Sequence, residues 1–333
     1  MFHYNQPITA NFIITRNCNS NCIFCGVEHK SLIKDTEQEY DKILEIIDKL
    51  DTNNVLRINF FGGEPLMYPK ILDAISYAKS KGIFTSLVSN GLNITESMCS
   101  KLKGNLDSIG ISLHGLKEEH ESLTRIKNSF DKTIKNIQIL NKYNIPVSIN
   151  MTVTKNNYKS IEETVDTILK KCKIEYFAFN RCIPNSFIPK EINEELVPTR
   201  ENLIESLEII DKLSDKYKNI KFKYAIHFPH CIVKEKKLRK YIGKCGFGQN
   251  YISIDKDGNI QLCSYTNKIL GNIFENNLKE IWESNKEIQE YRSEKWLPNK
   301  CISCEDKNIC MAGCKVSANK GFFAPDILIE SGE

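Results

Sequence analysis

Residues 8–26 read ITANFIITRNCNSNCIFCG, a segment in which an apolar run passes directly into three closely spaced cysteines. The run ITANFIIT is short, apolar and rich in β-branched residues, which predicts a buried β-strand. Cys18, Cys22 and Cys25 follow it with C-x3-C-x2-C spacing, and no fourth cysteine occurs before Cys99. The sequence therefore predicts a strand whose carboxyl end carries three thiolate ligands without a fourth.

Strand-like and helix-like segments alternate from this first strand onward. Predicted strands cover residues 8–15, 55–61, 83–89, 106–113, 145–153 and 174–179. Predicted helices cover residues 36–50, 69–81, 95–102, 129–143, 160–172 and 200–217. Because the strands are apolar and mostly uninterrupted, as strands buried on both faces are, the six β-α repeats predict a parallel α/β sheet, open or curled.

The β-α rhythm ends near residue 220, which predicts two domains, residues 1–220 and residues 221–333. The second domain is rich in cysteines and loops. One hairpin is predicted there, in YISIDKDGNIQLC (251–263), because Asp257-Gly258 is a strong turn signal between two apolar runs.

Polar motifs follow five of the six predicted strands. They are RNCNSNCIFC (16–25), GGEP (62–65), SNG (89–91), SLHG (112–115) and NRC (180–182). Because the carboxyl ends of parallel strands meet at one edge of a sheet, these motifs are expected to build one site there.

Composition and charge restrict the class of protein. No apolar segment reaches the length of a transmembrane helix or resembles a signal peptide, so a cytoplasmic protein with no membrane partner is expected. In that compartment the 13 cysteines indicate metal ligands rather than disulfides. The net charge of +4 does not by itself indicate nucleic-acid binding. Residues 212–244, here called the basic stretch, are interpreted either as a solvated face or as a docking face for an acidic peptide or redox partner.

Three thiolates on a cubic [4Fe–4S] cluster leave one iron open to an exogenous ligand, whereas a structural zinc site is closed. The sequence here resembles the radical S-adenosylmethionine (SAM) enzymes: it combines the three-cysteine spacing, Phe24 before the last cysteine, and the later FFGGEP. The resemblance implies a partial (β/α)6 TIM-like barrel and an open iron chelated by SAM. It also implies reductive cleavage of SAM to a 5′-deoxyadenosyl radical that abstracts hydrogen from a substrate.

The resemblance assigns SAM contacts to residues at the strand ends, namely Gly62, Gly63, Glu64, Asn90, Ser112, Arg125 and Ile183. The two glycines and the glutamate are expected to line the amino group of SAM, largely through backbone carbonyls. The serine and the arginine are expected to meet its carboxylate or ribose, the asparagine to support the same wall, and the backbone near the isoleucine to face the adenine. His114 stands where many relatives carry an acid, and a role as a mere strand-end cap stays open.

The second domain resembles the SPASM domain, which extends many radical SAM enzymes. Cys245-x12-Gly258-x4-Cys263 and the run Cys301-x2-Cys304-x5-Cys310-x3-Cys314 both match its spacing. The resemblance implies one or two auxiliary [4Fe–4S] clusters with these six cysteines as ligands.

The family's further cysteine after the last match is absent from this sequence, so the auxiliary ligands are incomplete. Cys231 is expected to complete the group of Cys245, Cys263 and Cys314. The group of Cys301, Cys304 and Cys310 would then need a ligand such as Asp326 or Glu330, or stay open.

The resemblance implies a substrate that is a residue of a ribosomally made peptide, modified by crosslinking, epimerisation or oxidation. A sugar, aminoglycoside or tetrapyrrole substrate is the alternative, and a non-catalytic iron–sulfur electron carrier is a third interpretation. The expected partners are a low-potential electron donor such as flavodoxin or ferredoxin and, because only 17 residues precede Cys18, a separate leader-peptide-binding protein.

Cys182 follows the sixth predicted strand and matches no cluster motif. It is therefore the candidate catalytic thiol: if the product is an epimer, Cys182 is expected to return a hydrogen atom to the substrate. A buried, inert thiol is the alternative. Ser264 stands where sulfatase-maturing relatives carry a proposed aspartate base, which disfavours that activity.

Overall fold

The computed structural model of the chain describes residues 2–26, 35–184, 188–266, 268–318 and 323–329. The strands are β1 (Thr9–Thr15), β2 (Arg57–Gly62), β3 (Phe84–Ser89), β4 (Ser108–Ser112), β5 (Val147–Val153), β6 (Tyr176–Arg181), β7 (Lys221–Ile226), β8 (Tyr251–Asp255), β9 (Asn259–Gln261) and β10 (Gly271–Asn272). The helices are α1 (Tyr40–Thr52), α2 (Ile71–Ser80), α3 (Glu96–Leu102), α4 (Lys117–Thr124), α5 (Ser129–Lys142), α6 (Ile161–Leu169), α7 (Lys190–Leu196), α8 (Arg200–Lys216), α9 (Leu278–Ser284), α10 (Lys286–Arg292), α11 (Asn299–Ile302) and α12 (Lys307–Cys310).

Within these described ranges one sheet carries the fold, with the strand order β10-β9-β8-β1-β2-β3-β4-β5-β6-β7. Each neighbouring pair from β1 to β7 is parallel. The six predicted strands all form and pair in chain order, so the predicted parallel α/β fold is confirmed.

The sheet extends beyond the predicted repeat on both sides. On one side β7, in KFKYAI, pairs with β6; it exposes Lys221 and Lys223 and buries Phe222 and Tyr224, the alternation of a half-solvated edge strand. On the other side β8 pairs in parallel with β1, although about 240 residues separate the two strands in sequence. The division near residue 220 stays a prediction.

The predicted hairpin in the second region is confirmed. It consists of β8 and β9, which pair in antiparallel fashion. Gly258 turns the chain with a φ of +81°, a conformation that costs glycine no steric strain, and its N–H donates to the Asp255 carbonyl at 3.0 Å.

The apolar core lies between the sheet and the outer helices. In α1 the buried residues Ile43, Ile46, Ile47 and Leu50 recur at helical spacing, so that one stripe of the helix is apolar. Packing of α2 on β3, α5 on β5 and α8 on β7 covers the outer face of the sheet. None of the helices in the described ranges is both long and apolar enough to cross a bilayer.

Candidate functional site

One cavity of about 390 Å³ opens where the parallel strands end. Its lining draws residues from the segment after β1, from the ends of β2 to β7, and from the loop after β9. Representative lining residues are Cys18, Gly62, Asn90, Ser112, Thr152 and Cys182. The polar motifs that follow the strands in sequence therefore face a single space.

The cysteine loop forms one wall of this cavity, with all three thiols on the lining. Burial raises the pKa of Cys18 to about 12. The backbone N–H of Ser20, which lies 3.4 Å from the sulfur, lowers this pKa but does not offset the burial. Burial, and then the charges of Cys25 and Cys18, raise the pKa of Cys22 further above its ordinary value. Free thiolates would be unstable here, whereas iron ions would offset their charge, so the donor set fits an iron–sulfur cluster.

Backbone hydrogen bonds fix the cysteine loop to α4. The Ile23 N–H donates to the Leu123 carbonyl at 3.0 Å, and the Asn21 N–H to that of Thr124 at 3.4 Å. Helix α4 was not predicted from the sequence; it nevertheless positions the loop that the sequence singled out.

Gly62 and Gly63 lie where the end of β2 meets the start of the cysteine loop. The Gly63 N–H donates to the Thr15 carbonyl at 2.8 Å. A Cβ atom on Gly62 would lie 2.3 Å from the Thr15 oxygen, and one on Gly63 would lie 2.4 Å from the Asn17 oxygen. Only glycine permits this approach, so both positions are required sterically beside any contact with SAM.

Glu64 is almost fully buried beneath the cavity wall. Its carboxylate accepts hydrogen bonds from the Asn90 N–H at 2.7 Å, the Ser89 hydroxyl at 2.8 Å and the Leu66 N–H at 3.1 Å. Burial raises the pKa of Glu64 to about 7, although the three hydrogen-bond donors lower it. Glu64 therefore joins the end of β2 to the end of β3.

Asn90 continues this connection to the cysteine loop. Its amide nitrogen lies 2.6 Å from the Asn19 side-chain oxygen and 3.1 Å from the Ser20 hydroxyl. The Glu64 carboxylate thus positions Asn90, and Asn90 positions the loop between the first two cysteines.

Of the three remaining residues expected to contact SAM, two line the cavity and one does not. Ser112 and Ile183 lie on the cavity lining. Arg125 is exposed at the end of α4, with a left-handed φ of +58°, whereas its neighbour Thr124 lines the cavity. The assignment of each of these residues to SAM stays a prediction.

Cys182 lies on the cavity lining and is nearly buried. It packs in a small apolar cluster with Leu123 and Leu196, against which Ile23 and Phe24 of the cysteine loop rest. Burial raises its pKa to about 12, which keeps the thiol protonated at neutral pH. A protonated thiol is the state that a hydrogen-atom donor needs, and its catalytic role stays a prediction.

His114 and His120 form a neutral pair beside the cysteine loop. Their rings stack with centroids 5.6 Å apart, and Phe24 contacts His114 edge-on at 4.7 Å. The Nδ1 atom of His114 accepts from the Thr152 N–H at 3.1 Å, and that of His120 accepts from the His114 N–H at 3.2 Å. Burial lowers the pKa of both rings, to about 4 for His120. His114 is therefore more than a strand-end cap, because it links β4 to β5.

Several cavity residues were missed in the sequence. Asn11 and Asn59 sit in adjacent strands at paired positions, 3.2 Å apart between amide nitrogen and oxygen. Each interrupts an apolar run with a polar residue, which is the signal that could have revealed them. Thr152 lies on the lining in β5, again as a polar residue within an apolar strand.

Tyr265 was also missed, since nothing in its local sequence marks it. It lies on the cavity lining, two residues after Cys263. Burial, and then the charges of Cys25 and Cys263, raise its pKa well above the ordinary value. Tyr265 is thus close both to the cysteine loop after β1 and to the cysteines of the second region.

The six cysteines that match the SPASM spacing fall into two groups. In the first group burial raises the pKa of Cys245 to about 12, and the charges of Cys314 and Cys263 add to the rise. Burial raises the pKa of Cys263 to about 11, and the nearby Tyr251 side chain opposes the rise. The second group consists of Cys301, Cys304 and Cys310.

Cys231 lies beside this second group, and not beside the first as expected from the sequence. Asp326, considered above as a ligand, instead forms a buried ion pair with Arg181 and accepts from the Cys314 N–H at 2.9 Å. Glu330 lies outside the described residues.

Much of the basic stretch is paired within the chain. Lys237 and Lys240 each lie 3.3 Å from Asp211, and Lys216 lies 2.7 Å from Asp166. These contacts are on the surface, where solvent screens the charges and each pair stabilises the fold only weakly. A role in docking stays a prediction.

Two family models match the chain. The model of the radical SAM superfamily matches residues 12–168, and the SPASM model, described as an iron–sulfur cluster-binding domain, matches residues 245–305. The first match contains the cysteine loop and the GGEP motif, and the second contains the hairpin of β8 and β9.

Similar proteins are found along nearly the whole chain. The AdoMet-dependent heme synthase of Methanosarcina barkeri is 25% identical over 329 residues, which cover 94% of this chain and 93% of that protein. The PqqA peptide cyclase of Rhizobium meliloti is 23% identical over 324 residues, covering 94% and 83%.

Among solved structures, Streptococcus suis SuiB superposes with a TM-score of 0.78 at 20% identity. The structure of SuiB bound to SAM covers 97% of this chain and 76% of its own, and that of SuiB bound to its precursor peptide SuiA covers 98% and 76%. At this identity the likeness shows a shared fold.

Proposed function

The chain belongs to the radical SAM superfamily and carries a SPASM domain, and on this premise we propose that it modifies a residue of a ribosomally made peptide. The family uses [4Fe–4S] clusters and SAM, which when bound supply reductive cleavage of SAM and a 5′-deoxyadenosyl radical that abstracts hydrogen. The reaction proposed for this chain is a crosslink, an epimerisation or an oxidation.

One observation carries the enzymatic interpretation: the cysteine loop, Gly62, Gly63, Cys182 and Tyr265 all face the same cavity. In this arrangement three thiols would hold the cluster at one wall, and the two glycines let the end of β2 approach the cysteine loop closely. Cys182 and Tyr265 contribute a thiol and a phenol to the lining of the same cavity. A non-catalytic electron carrier would have no use for a cavity at the open corner of its cluster.

Similarity to peptide-modifying proteins supports a peptide substrate. One relative is named as a cyclase of the peptide PqqA, and the structure of SuiB has been solved with its precursor peptide bound. We propose that a low-potential donor such as flavodoxin or ferredoxin supplies the electron. A separate leader-peptide-binding protein stays a further proposed partner.

A second candidate is a tetrapyrrole substrate, because the M. barkeri relative, 25% identical over 93% of its own length, is a heme synthase. The two candidates need different access to the cavity: a peptide must enter as an extended chain, and a tetrapyrrole as a broad disc.

A direct comparison tests the two candidates. The anaerobically reconstituted protein is given SAM and a reductant, together with either a panel of short peptides encoded near its gene or a panel of tetrapyrroles. The proposal predicts substrate-dependent formation of 5′-deoxyadenosine and a modified peptide. The modification is either a loss of two hydrogen atoms or incorporation of deuterium from deuterated water. Turnover of a tetrapyrrole with an unmodified peptide would transfer the proposal to the second candidate.

A further inference from the structure

A four-cysteine group lies at the surface of the second region. It consists of Cys301, Cys304 and Cys310, which come from the segment of α11 and α12, and of Cys231, which precedes β8 by twenty residues. Cys231 lies outside the residues that the SPASM model matches, and no spacing motif includes it. Cys231 and Cys304 are exposed, whereas Cys310 is buried.

Three contacts made by His230 and Arg239 hold the turn around Cys231 against the segment that contains the other cysteines. The backbone N–H of the neighbouring residue, His230, donates to the Cys310 sulfur at 3.4 Å. The Nδ1 atom of His230 lies 3.1 Å from the Asp306 carboxylate. Arg239, a few residues further on, donates to the same carboxylate at 2.8 Å. The turn that carries Cys231 is therefore fixed on both sides.

The electrostatics agree with this geometry. Burial, and then the charges of Cys231 and Cys304, raise the pKa of Cys301. Burial raises the pKa of Cys310 to about 11; the His230 N–H opposes the rise, and the charges of Cys231 and Cys301 add to it. Cys231 therefore lies close enough to Cys301 and Cys310 for the charges of the three sulfurs to act on one another.

We propose that Cys231 is the fourth protein ligand of the auxiliary cluster held by Cys301, Cys304 and Cys310. A [4Fe–4S] cluster normally takes four cysteine ligands, and each thiol loses its proton on ligation. Asp326 cannot take this place, because its carboxylate is committed to Arg181 and to the Cys314 N–H.

The assignment changes how the thirteen cysteines are divided. Ten serve clusters: three in the loop after β1, three in the group of Cys245, Cys263 and Cys314, and four in the surface group. Cys99, Cys172 and Cys182 remain as free thiols. The proposal concerns ligation alone and does not depend on the substrate proposed above.

Alkylation tests the assignment without any assay of activity. The anaerobically reconstituted protein and its iron-free form are treated with iodoacetamide, and peptide mass spectrometry follows each cysteine. Because Cys231 is exposed, it would react in both forms unless iron holds it. We expect at least tenfold slower alkylation of Cys231 in the loaded protein, and equal rates would overturn the proposal. The variant Lys218→Cys places a reporter thiol on an exposed residue outside the cysteine groups and should react alike in both forms.

Two further variants identify the cluster concerned. In Cys301→Ala the protection of Cys231 should be lost, whereas in Cys245→Ala it should persist. The opposite pattern would place Cys231 in the other group, as the sequence alone led us to expect.

Iron analysis and Mössbauer spectroscopy of Cys231→Ala provide the second measurement. We expect either a loss of about four irons per chain or an altered spectrum for one cluster, since a [4Fe–4S] cluster would lose one of its four thiolates. Cys172→Ala is the matched control, because Cys172 is buried with its sulfur 3.8 Å from the Ile134 carbonyl. Iron content and a spectrum both identical to those of the parent protein would overturn the assignment.

Discussion

Arg16 and Asp255 form an ion pair of 2.8 Å between residues 239 positions apart in sequence. Arg16 directly follows β1 and stands two residues before Cys18, whereas Asp255 ends β8. The other carboxylate oxygen of Asp255 accepts from the Asp257 N–H at 3.0 Å and the Asn259 N–H at 2.9 Å. One carboxylate therefore shapes the hairpin of the second region and fixes it to the base of the cysteine loop.

Replacing Arg16 should uncouple these two regions. The Asp255 carboxylate is nearly buried, and the Arg16 side chain is only 27% exposed, so Arg16→Leu leaves a buried charge without its cation. We expect a loss of about 1–3 kcal/mol in the free energy of unfolding, below the cost of breaking a fully buried pair. Urea unfolding of the anaerobic protein measures it.

A double-mutant cycle with Asp255→Asn isolates the pair itself. The exposed pair of Lys218 and Asp215 serves as the control, since Lys218→Ala should change stability by about 0–1 kcal/mol. Additive effects of Arg16→Leu and Asp255→Asn would show that the two side chains do not stabilise one another.

Glu64→Ala should impair the use of SAM while iron stays in the protein. The carboxylate holds the backbone of Asn90 and the hydroxyl of Ser89, and Asn90 in turn holds the loop between the first two cysteines. By analogy with residues that orient metal ligands, we expect formation of 5′-deoxyadenosine to fall about 10–100-fold. Glu64→Gln keeps one acceptor oxygen and should fall between the parent and the alanine variant. Unchanged 5′-deoxyadenosine formation in Glu64→Ala would count against this role.

Acid should destabilise the protein partly through His120. Its pKa is about 4 in the folded protein and about 6.5 when unfolded, so the unfolded state binds the proton more readily. The contribution of His120 to the free energy of unfolding is therefore fully present above pH 6.5. It is lost as the pH falls toward 4, and the loss amounts to about 3 kcal/mol. The variant His120→Asn keeps an acceptor for the His114 N–H but does not titrate. Melting temperatures between pH 7 and 5 should fall less steeply in the variant, and parallel profiles would refute the assignment.

Cys182→Ala distinguishes a hydrogen-atom donor from an inert core thiol. If the product is an epimer, the thiol hydrogen passes to the substrate carbon, and exchange with deuterated water labels that carbon. The variant should then cleave SAM without forming the epimer, whereas Cys172→Ala should retain both reactions. Full epimerisation by Cys182→Ala would eliminate the role, and a crosslinked product would make it irrelevant.

The features predicted correctly from the sequence are those carried by local patterns. The apolar runs placed the six parallel strands, and because strand ends converge in such a sheet, motif order alone brought Cys18, Gly62, Asn90 and Ser112 to one cavity. The turn at Gly258 was equally local, since the dipeptide Asp257-Gly258 favours the positive φ that the turn requires.

The features that were missed depend on contacts between distant segments. In β7 charged and apolar residues alternate, so that the sequence alone does not distinguish it from an exposed loop. Its pairing with β6 identifies it as a strand. No spacing joins Cys231 to Cys310, and the expectation that placed it with Cys245 was wrong about its neighbours. Tyr265 likewise gains its position only when the second region folds against the first.

We propose that Cys18, Cys22 and Cys25 hold a cluster on which SAM is cleaved in the cavity at the strand ends. The most direct measurement compares the reconstituted protein with a variant in which all three are alanine, by iron content and by formation of 5′-deoxyadenosine under reducing conditions. We expect the variant to lose about four irons and all 5′-deoxyadenosine formation while the auxiliary irons remain. A variant that still forms 5′-deoxyadenosine, or that holds as much iron as the parent protein, would contradict it.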